Sequence, residues 1–411
     1  MDFDSITSPE DLHRLEAAFP SGAVAISGDM FYPDFRAREI ASRPMLLWAV
    51  LIWTAGDLSL KDTAAALSAV GVSVSRASLH ERFGRASGWL GLLLSMLLCG
   101  NATYPAEGCV RVLVGDSTSL SGPGSKGTDF RVHALFDSAT GALVAVKVTD
   151  AHEGESCDKH PLGVESLVQY DRGYCVAKNL HAHAACGAKF LIRCNPNGIR
   201  ICDTDMRVVK PSRLETSVRT HTPLDMAVLV PARRKWAKGP DWHLARGVAF
   251  VAARLIGIRT RAGVLWLLTD MPADSLDARA AGELYRRRWQ IELLFKSLKS
   301  VAGLDRIKSL SGATAMTWIY GKLILAALAQ KRVPAFEPAS KRSGDEPYRG
   351  SAFSRFRTAY LCVIHVVLGG VMLSLTSDER HLRRLRNSPR KRRQQAPTMP
   401  IRISNHQLLN L

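Results

Sequence analysis

The 411-residue sequence is short of the features that would place it outside a reducing compartment or in a bilayer. Its eight cysteines include no Cys-x-x-Cys pair, and no secretory leader precedes them. Neither a zinc knuckle nor a disulfide framework is expected, and the thiols should be reduced in a cytoplasm. A Gly-rich phosphate loop closed by Lys-Ser/Thr is missing, so no nucleotide cofactor and no ATP hydrolysis are expected. Two apolar segments stand out, 88–100 and 359–375. The first is too short to span a membrane, the second is interrupted by His365 and a glycine pair, and both read as buried helices. Acid is scarce too, with 37 Asp and Glu against 55 Lys and Arg, a formal net charge of +18. On a chain that is 46% apolar, that excess describes a folded protein with a cationic field, and nucleic acid is the first partner to consider.

What is present falls into blocks. Residues 1–105 read as helices, and a helix, a turn at Gly71 and a second helix capped by Ser75 give a helix-turn-helix layout exposing Arg76, His80, Arg82 and Arg85. From Cys109 the runs VRVLVGDSTSL, FRVHALFD and ALVAVKVTD are rich in β-branched residues and predict a three-strand meander. SLVQYDRGY and KFLIRC then bracket a short helical segment. This is the grammar of a mixed sheet with helices on its faces. We assign 106–198 to a first catalytic part, 199–263 to a β-rich insertion and 264–310 to a second catalytic part. Residues 311–411 form a helical C-terminal region with a basic tail.

One stretch, YRRRWQIELLFKSLK (285–299), holds a single carboxylate, Glu292, among five cations. On one continuous helix Tyr285, Arg288, Glu292 and Lys299 would fall within about 60° of one another. Alone, this could be a solvated helix with ordinary i, i+4 pairs. Two other acids change the weighing. Asp116 follows the apolar run 112–115, and Asp171 ends SLVQY. Three carboxylates on adjacent elements would need divalent cations, and hard oxygen donors select Mg²⁺ or Mn²⁺. Two such ions suit phosphodiester cleavage. Asp137, Asp150 and Glu155 compete for these places and are ranked as turn residues. His181 and His183 are read as surface or packing, since a helix points them about 200° apart.

GDSTSL, FRVHALFD, VTDAHEGES, YDRGY and the spaced Tyr285, Arg288, Glu292 and Lys299 resemble the bacterial insertion-sequence transposases of the DDE class, in the group marked by a YREK signature. The resemblance covers about Cys109 to Leu304. It implies an α/β, RNase H-like mixed sheet interrupted by a mostly β insertion, with Asp116, Asp171 and Glu292 as the metal-binding catalytic triad and two Mg²⁺ or Mn²⁺ ions. Tyr285, Arg288 and Lys299 would contact DNA phosphates, and Trp289 would hold a base flipped from the duplex. Trp266 is a second, unassigned aromatic. Arg76 and Arg82 are expected to contribute to recognition of the DNA ends. The implied activity is cut-and-paste transposition by strand cleavage at terminal inverted repeats and strand transfer to target DNA. It would be carried out by a homodimer in the cytoplasm, at the nucleoid, without a membrane. The alternatives are an inactivated, domesticated DNA-binding relative or an RNase H-like nuclease. In one respect the sequence departs from the family: Tyr170 precedes the DRGY aspartate where a small residue is common.

Overall fold

Strand-forming residues and tight turns determine the middle of the chain in the computed structural model, which describes residues 6, 8–99, 110–161, 163, 166–194, 198–219, 221–233, 238–333 and 351–375. The basic tail and most of the connector after Arg332 lie outside the described residues. In chain order come α1 (Leu12–Glu16), α2 (Ala23–Phe31), α3 (Arg43–Ala55), α4 (Leu60–Ala69), α5 (Arg76–Arg85) and α6 (Ser87–Cys99). Then follow β1 (Arg111–Leu120), β2 (Phe130–Asp137), β3 (Leu143–Asp150), β4 (Ser166–Tyr170), α7 (Ala177–Cys186) and β5 (Lys189–Arg193). Short β6 (Ile201–Cys202) and β7 (Val208–Val209) precede the longer β8 (Leu224–Pro231), β9 (Phe250–Thr260) and β10 (Gly263–Thr269). The chain continues through α8 (Ala278–Arg286), α9 (Trp289–Ser300), α10 (Gly312–Arg332) and α11 (Ala352–Leu375).

Two compact units result, and they cut across the blocks read from the sequence. The described residues within 1–155, 159–161 and 289–378 form the first, and those within 156–158 and 162–288 form the second. In the first unit β1, β2 and β3 are an antiparallel meander, with Asp116 paired to Ala134 and Phe136 to Leu143. The turn between β2 and β3 is closed by Asp137, whose Oδ1 accepts the N–H groups of Ala139 and Thr140 at 2.9 and 3.0 Å, with Gly141 in the left-handed region that the turn requires. GPGSKG (122–127) has the letter spacing of a dinucleotide loop, but it joins two antiparallel strands with no helix behind it. It therefore lacks the helix N-terminus that such a loop uses.

Helices from both ends of the chain build this unit's core. Trp53 of α3 meets Trp318 of α10 edge to face at 4.7 Å and Phe83 of α5 at 4.9 Å. Gly321 allows α10 to approach α3, since a Cβ there would meet Thr54 at 2.7 Å. By length and composition α10 could cross a membrane, yet most of it is buried within the unit. Both apolar segments are core helices, as expected: Leu90, Leu93, Leu94 and Leu97 of α6 and Ala359, Val367 and Val371 of α11 are buried.

In the second unit β4 and β5 run parallel, with Gln169 opposite Leu191, and α7 lies between them in sequence. The sheet continues as β4-β5-β10-β9-β8-β6-β7, antiparallel from β5 onward. Three antiparallel strands followed by a parallel strand–helix–strand is the succession of an RNase H-like α/β fold, and β6 to β9 supply the β-rich insertion. The ring of Trp266 lies over Gly257 of β9 and is buried.

Each unit holds a buried neutral histidine. His133 on β2 has its Nε2 3.0 Å from the Thr149 hydroxyl, and His183 on α7 sits between the rings of Tyr170 and Phe190. Burial lowers both to about 4 from 6.5, aided at His133 by Arg131 and Lys159. Between those values the unfolded chain takes up protons that the folded one refuses, so stability is complete above about pH 6.5 and falls on acidification toward pH 4. Thermal melting from pH 8 to 4 is expected to show a drop on the order of 5 °C across that window. His133→Gln should shrink it, leaving the His183 share, and an unchanged pH profile in that variant would assign the drop elsewhere.

Candidate functional site

The sixth residue of β1, Asp116, is half-buried in mid-strand, and its Oδ1 accepts the Ser117 N–H at 2.8 Å. α9 packs on β1 in the same unit. Lys299 pins the two together: its Nζ donates to the Ser119 carbonyl at 3.0 Å. Glu292 lies seven residues back along the helix, roughly 10 Å, and Asp116 three residues back along the strand, also roughly 10 Å. Glu292 is exposed in the first turn of α9.

Beside Asp116 is a network the sequence did not reveal. The Ser117 hydroxyl donates to Glu155 Oε1 at 3.0 Å, and Arg131 Nη1 reaches the Ser117 hydroxyl at 3.1 Å and the same carboxylate oxygen at 3.3 Å. Glu155 is thus an acceptor held against β1 rather than a turn residue. Asp137 and Asp150 do serve turns, Asp150 by accepting the His152 N–H at 2.9 Å. Burial opposes ionisation of Asp137, but the Thr140 and Ala139 N–H groups and Arg111, 2.7 Å away, outweigh it and lower its pKa.

The second unit positions Asp171 immediately after β4, where it opens a 3-10 turn over Arg172–Tyr174. Tyr170 does not crowd it. Its ring is fully buried, stacked on Tyr174 at 4.6 Å. The Tyr285 hydroxyl is 3.4 Å from Asp171 Oδ1. Burial, with Arg288 opposing and Asp171 assisting, raises the Tyr285 phenol, so it keeps its proton and donates toward the carboxylate.

The helix expected over 285–299 is in fact two. α8 ends at Arg286 and α9 begins at Trp289, because the N–H groups of Arg287 and Arg288 bond three residues back, to Leu284 and Tyr285, each at 3.1 Å. Tightening to i→i+3 eclipses residues three apart, and it sets the Arg288 guanidinium 6.0 Å from the centre of the Tyr285 ring. The one continuous helix expected to carry Tyr285, Arg288, Glu292 and Lys299 is thus interrupted between Arg286 and Trp289. Trp289, at the start of α9, is 53% exposed, whereas Trp266 is 6% exposed and unavailable as a stacking surface.

In the N-terminal helices Ser75 caps α5 as expected, accepting the Ser78 N–H at 3.1 Å. Arg76 and His80 are exposed. Arg82 is not: it is 8% exposed and donates to the Arg36 carbonyl at 3.1 Å and to Ser78 at 3.3 Å. Its guanidinium also lies 5.6 Å from the Phe35 ring centre. The sequence placed it among exposed residues that recognise the DNA ends; the fold uses it to fasten α5 to the loop before α3.

The carboxylates of Asp116, Asp171 and Glu292 are hard oxygen donors of the kind Mg²⁺ and Mn²⁺ select. Among the described residues no three His, Cys, Asp or Glu side chains converge closely enough to hold an ion.

Residues 107–328 match the family described as Transposase DDE domain. InsL, for insertion sequence element IS186A of Escherichia coli (strain K12), is 26% identical over 337 residues, 76% of this chain and 90% of that protein. The transposase for insertion sequence element IS421 of Escherichia coli is also 26% identical, over 76% of this chain and 91% of that protein. Among solved structures, the piggyBac transposase synaptic complex with hairpin DNA aligns with a TM-score of 0.45 at 11% identity, covering 95% of this chain and 87% of that one.

Proposed function

The chain belongs to the DDE transposases, enzymes that cleave and join DNA strands, and from that premise we propose that Asp116, Asp171 and Glu292 are its three catalytic carboxylates. The observation that carries this reading is the pairing of Asp171 with the Tyr285 hydroxyl at 3.4 Å. That contact ties the DRGY turn to the first residue of the YREK signature, across 114 residues of chain. A divalent cation is a general requirement of the family, and Mg²⁺ or Mn²⁺, as two ions, suits three carboxylates. Such ions supply an activated water or 3′-hydroxyl and stabilise the leaving oxygen of a phosphodiester.

The chain's own groups do the rest. Tyr285, held protonated by burial, orients the Asp171 carboxylate. Arg288 sits in the turn next to it, its guanidinium 6.0 Å from the centre of the Tyr285 ring, and is the cation of this turn that would meet phosphate oxygens. Lys299 fixes α9 on β1 and with it the place of Glu292. Trp289, exposed at the start of α9, offers a ring on which an unstacked base can lie. Arg76 on α5 is an exposed cation for the DNA backbone, in company with His80. Strand cleavage at terminal inverted repeats, followed by attack of the freed 3′-hydroxyl on target DNA, completes cut-and-paste movement of the element. Two copies of the chain pair the two ends, in the cytoplasm.

The test is strand cleavage by the full chain on duplexes ending in the repeats that flank its gene. Nicking and joining are expected with Mg²⁺ or Mn²⁺ and none with EDTA. Binding of the ends without cleavage in either metal would refute the catalytic assignment. Cleavage without joining would point to a hydrolytic nuclease.

A further inference from the structure

The second unit contains a cleft of about 1070 Å³ that none of the signature residues line. Its walls come from the start of α7, the β6–β7 hairpin, the 3-10 turn at Pro211–Ser217 and the end of β8. Five cations face it, Lys178, Arg200, Lys210, Arg213 and Arg233, and no Asp or Glu is among its lining residues. Arg200 is held in place, with Nη1 2.9 Å from His243 Nδ1 and its guanidinium 5.2 Å from the centre of the Trp242 ring, which also lines the cleft. Among the described residues no carboxylate pairs with Lys178, Lys210, Arg213 or Arg233. The cleft also receives Ala177 and Lys178, the first residues of α7, a helix that opens on Val176 with no side-chain cap. Uncapped N–H groups at a helix start favour anions.

Like charges gathered around one cavity repel each other and are retained at a cost unless an anion relieves them. Five of them, contributed by four separate elements around a cleft this large, are too dispersed for one small anion. They match a ligand that repeats its charge. We propose that this cleft is a second DNA-binding site, taking the phosphodiester backbone of a strand outside the catalytic carboxylates. Binding there is independent of sequence, because the lining offers charge rather than a pattern of base-edge donors and acceptors. Arg200 and Trp242 form the one aromatic platform in it, for a base or sugar of that strand. Lys178 lies only seven residues beyond Asp171 in the chain, so DNA held in the cleft is carried by the same segment that carries the catalytic aspartate. The inference rests on the reading of the chain as a DNA transposase.

The experiment measures binding of the full chain to a 30-base-pair duplex of arbitrary sequence, by fluorescence anisotropy between 50 and 200 mM salt. Each phosphate contact contributes about −0.9 to the slope of log K against log[salt]. Lys210→Ala with Arg213→Ala is expected to make the slope shallower by about 1.8. The loss of affinity over that fourfold salt range then becomes about twelvefold smaller. Arg246→Ala with Arg261→Ala removes the same charge from exposed positions of the same unit, off the cleft, and should leave the slope nearly unchanged. Lys210→Arg should keep it fully. An unchanged slope in the cleft variant, with thermal melting like that of the wild type, overturns the assignment, and so does an equal change in both double variants. A wild-type chain that fails to bind the duplex at all overturns the DNA-processing reading as well.

Discussion

Asp171→Asn is expected to lower strand cleavage by at least about a thousandfold, roughly 4 kcal/mol of transition-state stabilisation, while DNA affinity stays within about twofold. The amide is isosteric with the carboxylate and still accepts from the Tyr285 hydroxyl through its oxygen, so the turn after β4 keeps its shape. What it loses is the negative charge and one of two oxygen donors, and a hard divalent cation binds the amide nitrogen poorly. Asp116→Asn and Glu292→Gln should behave alike, because removing any member of a set that acts as one unit costs about as much as removing several. Asp137→Asn supplies the contrast. That side chain closes the β2–β3 turn and pairs with Arg111, so its variant should cleave normally and melt lower. Cleavage at wild-type rate by Asp171→Asn, or loss of cleavage in Asp137→Asn with Asp171→Asn active, would dismiss the proposed triad.

A comparable effect on stability is expected far from that chemistry. Lys322 of α10 is 2% exposed, its Nζ lies 2.6 Å from Asp57 Oδ1, and Arg306 approaches the other carboxylate oxygen at 3.6 Å. Burial lowers the Lys322 pKa and Asp57 counteracts it. Asp57→Ala leaves that ammonium buried without its counter-charge, which typically costs about 3–5 kcal/mol. Part of the loss reflects Asp57's positive φ of 50°, tolerated by Asp better than by Ala. The buried pair itself is worth much less, since an apolar replacement of both partners is often neutral. Lys322→Met combined with Asp57→Ala should therefore recover most of the stability lost in Asp57→Ala alone. Chemical denaturation of the four proteins of this cycle measures it, and a single-variant loss below about 1 kcal/mol would show that water already satisfies Lys322.

The first of these predictions could be framed from the sequence and the second could not. Strands β1 to β5 follow from alternating and β-branched runs bounded by turn residues, and their limits in the fold lie within a few residues of those expected. DRGY and the spaced Tyr285, Arg288, Glu292 and Lys299 are local words with the same character. Periodicity, turn chemistry and motif spacing involve neighbours along the chain, so one dimension suffices to read them. Lys322 and Asp57 are 265 residues apart and Arg82 and Arg36 are 46 apart, and nothing near any of them signals the pairing.

Tertiary structure alone decided which charges are spent. Arg82 looked like an exposed contact to the DNA ends because the helix-turn-helix layout places it beside Arg85, but burial depends on a loop that folds back over α5. Glu155 looked like a turn acid, but Ser117 and Arg131 hold it against β1. The break at Arg287 and Arg288, within a run of good helix formers, comes from two i→i+3 bonds that no propensity distinguishes. The cationic cleft gathers cations from 178 to 233, each of which is an ordinary surface lysine or arginine until folding lines one cavity with all five and with no acid. Elements and signatures are set by local steric and hydrogen-bonding preferences. Desolvation and charge pairing act through space, and only the folded chain brings their partners within range.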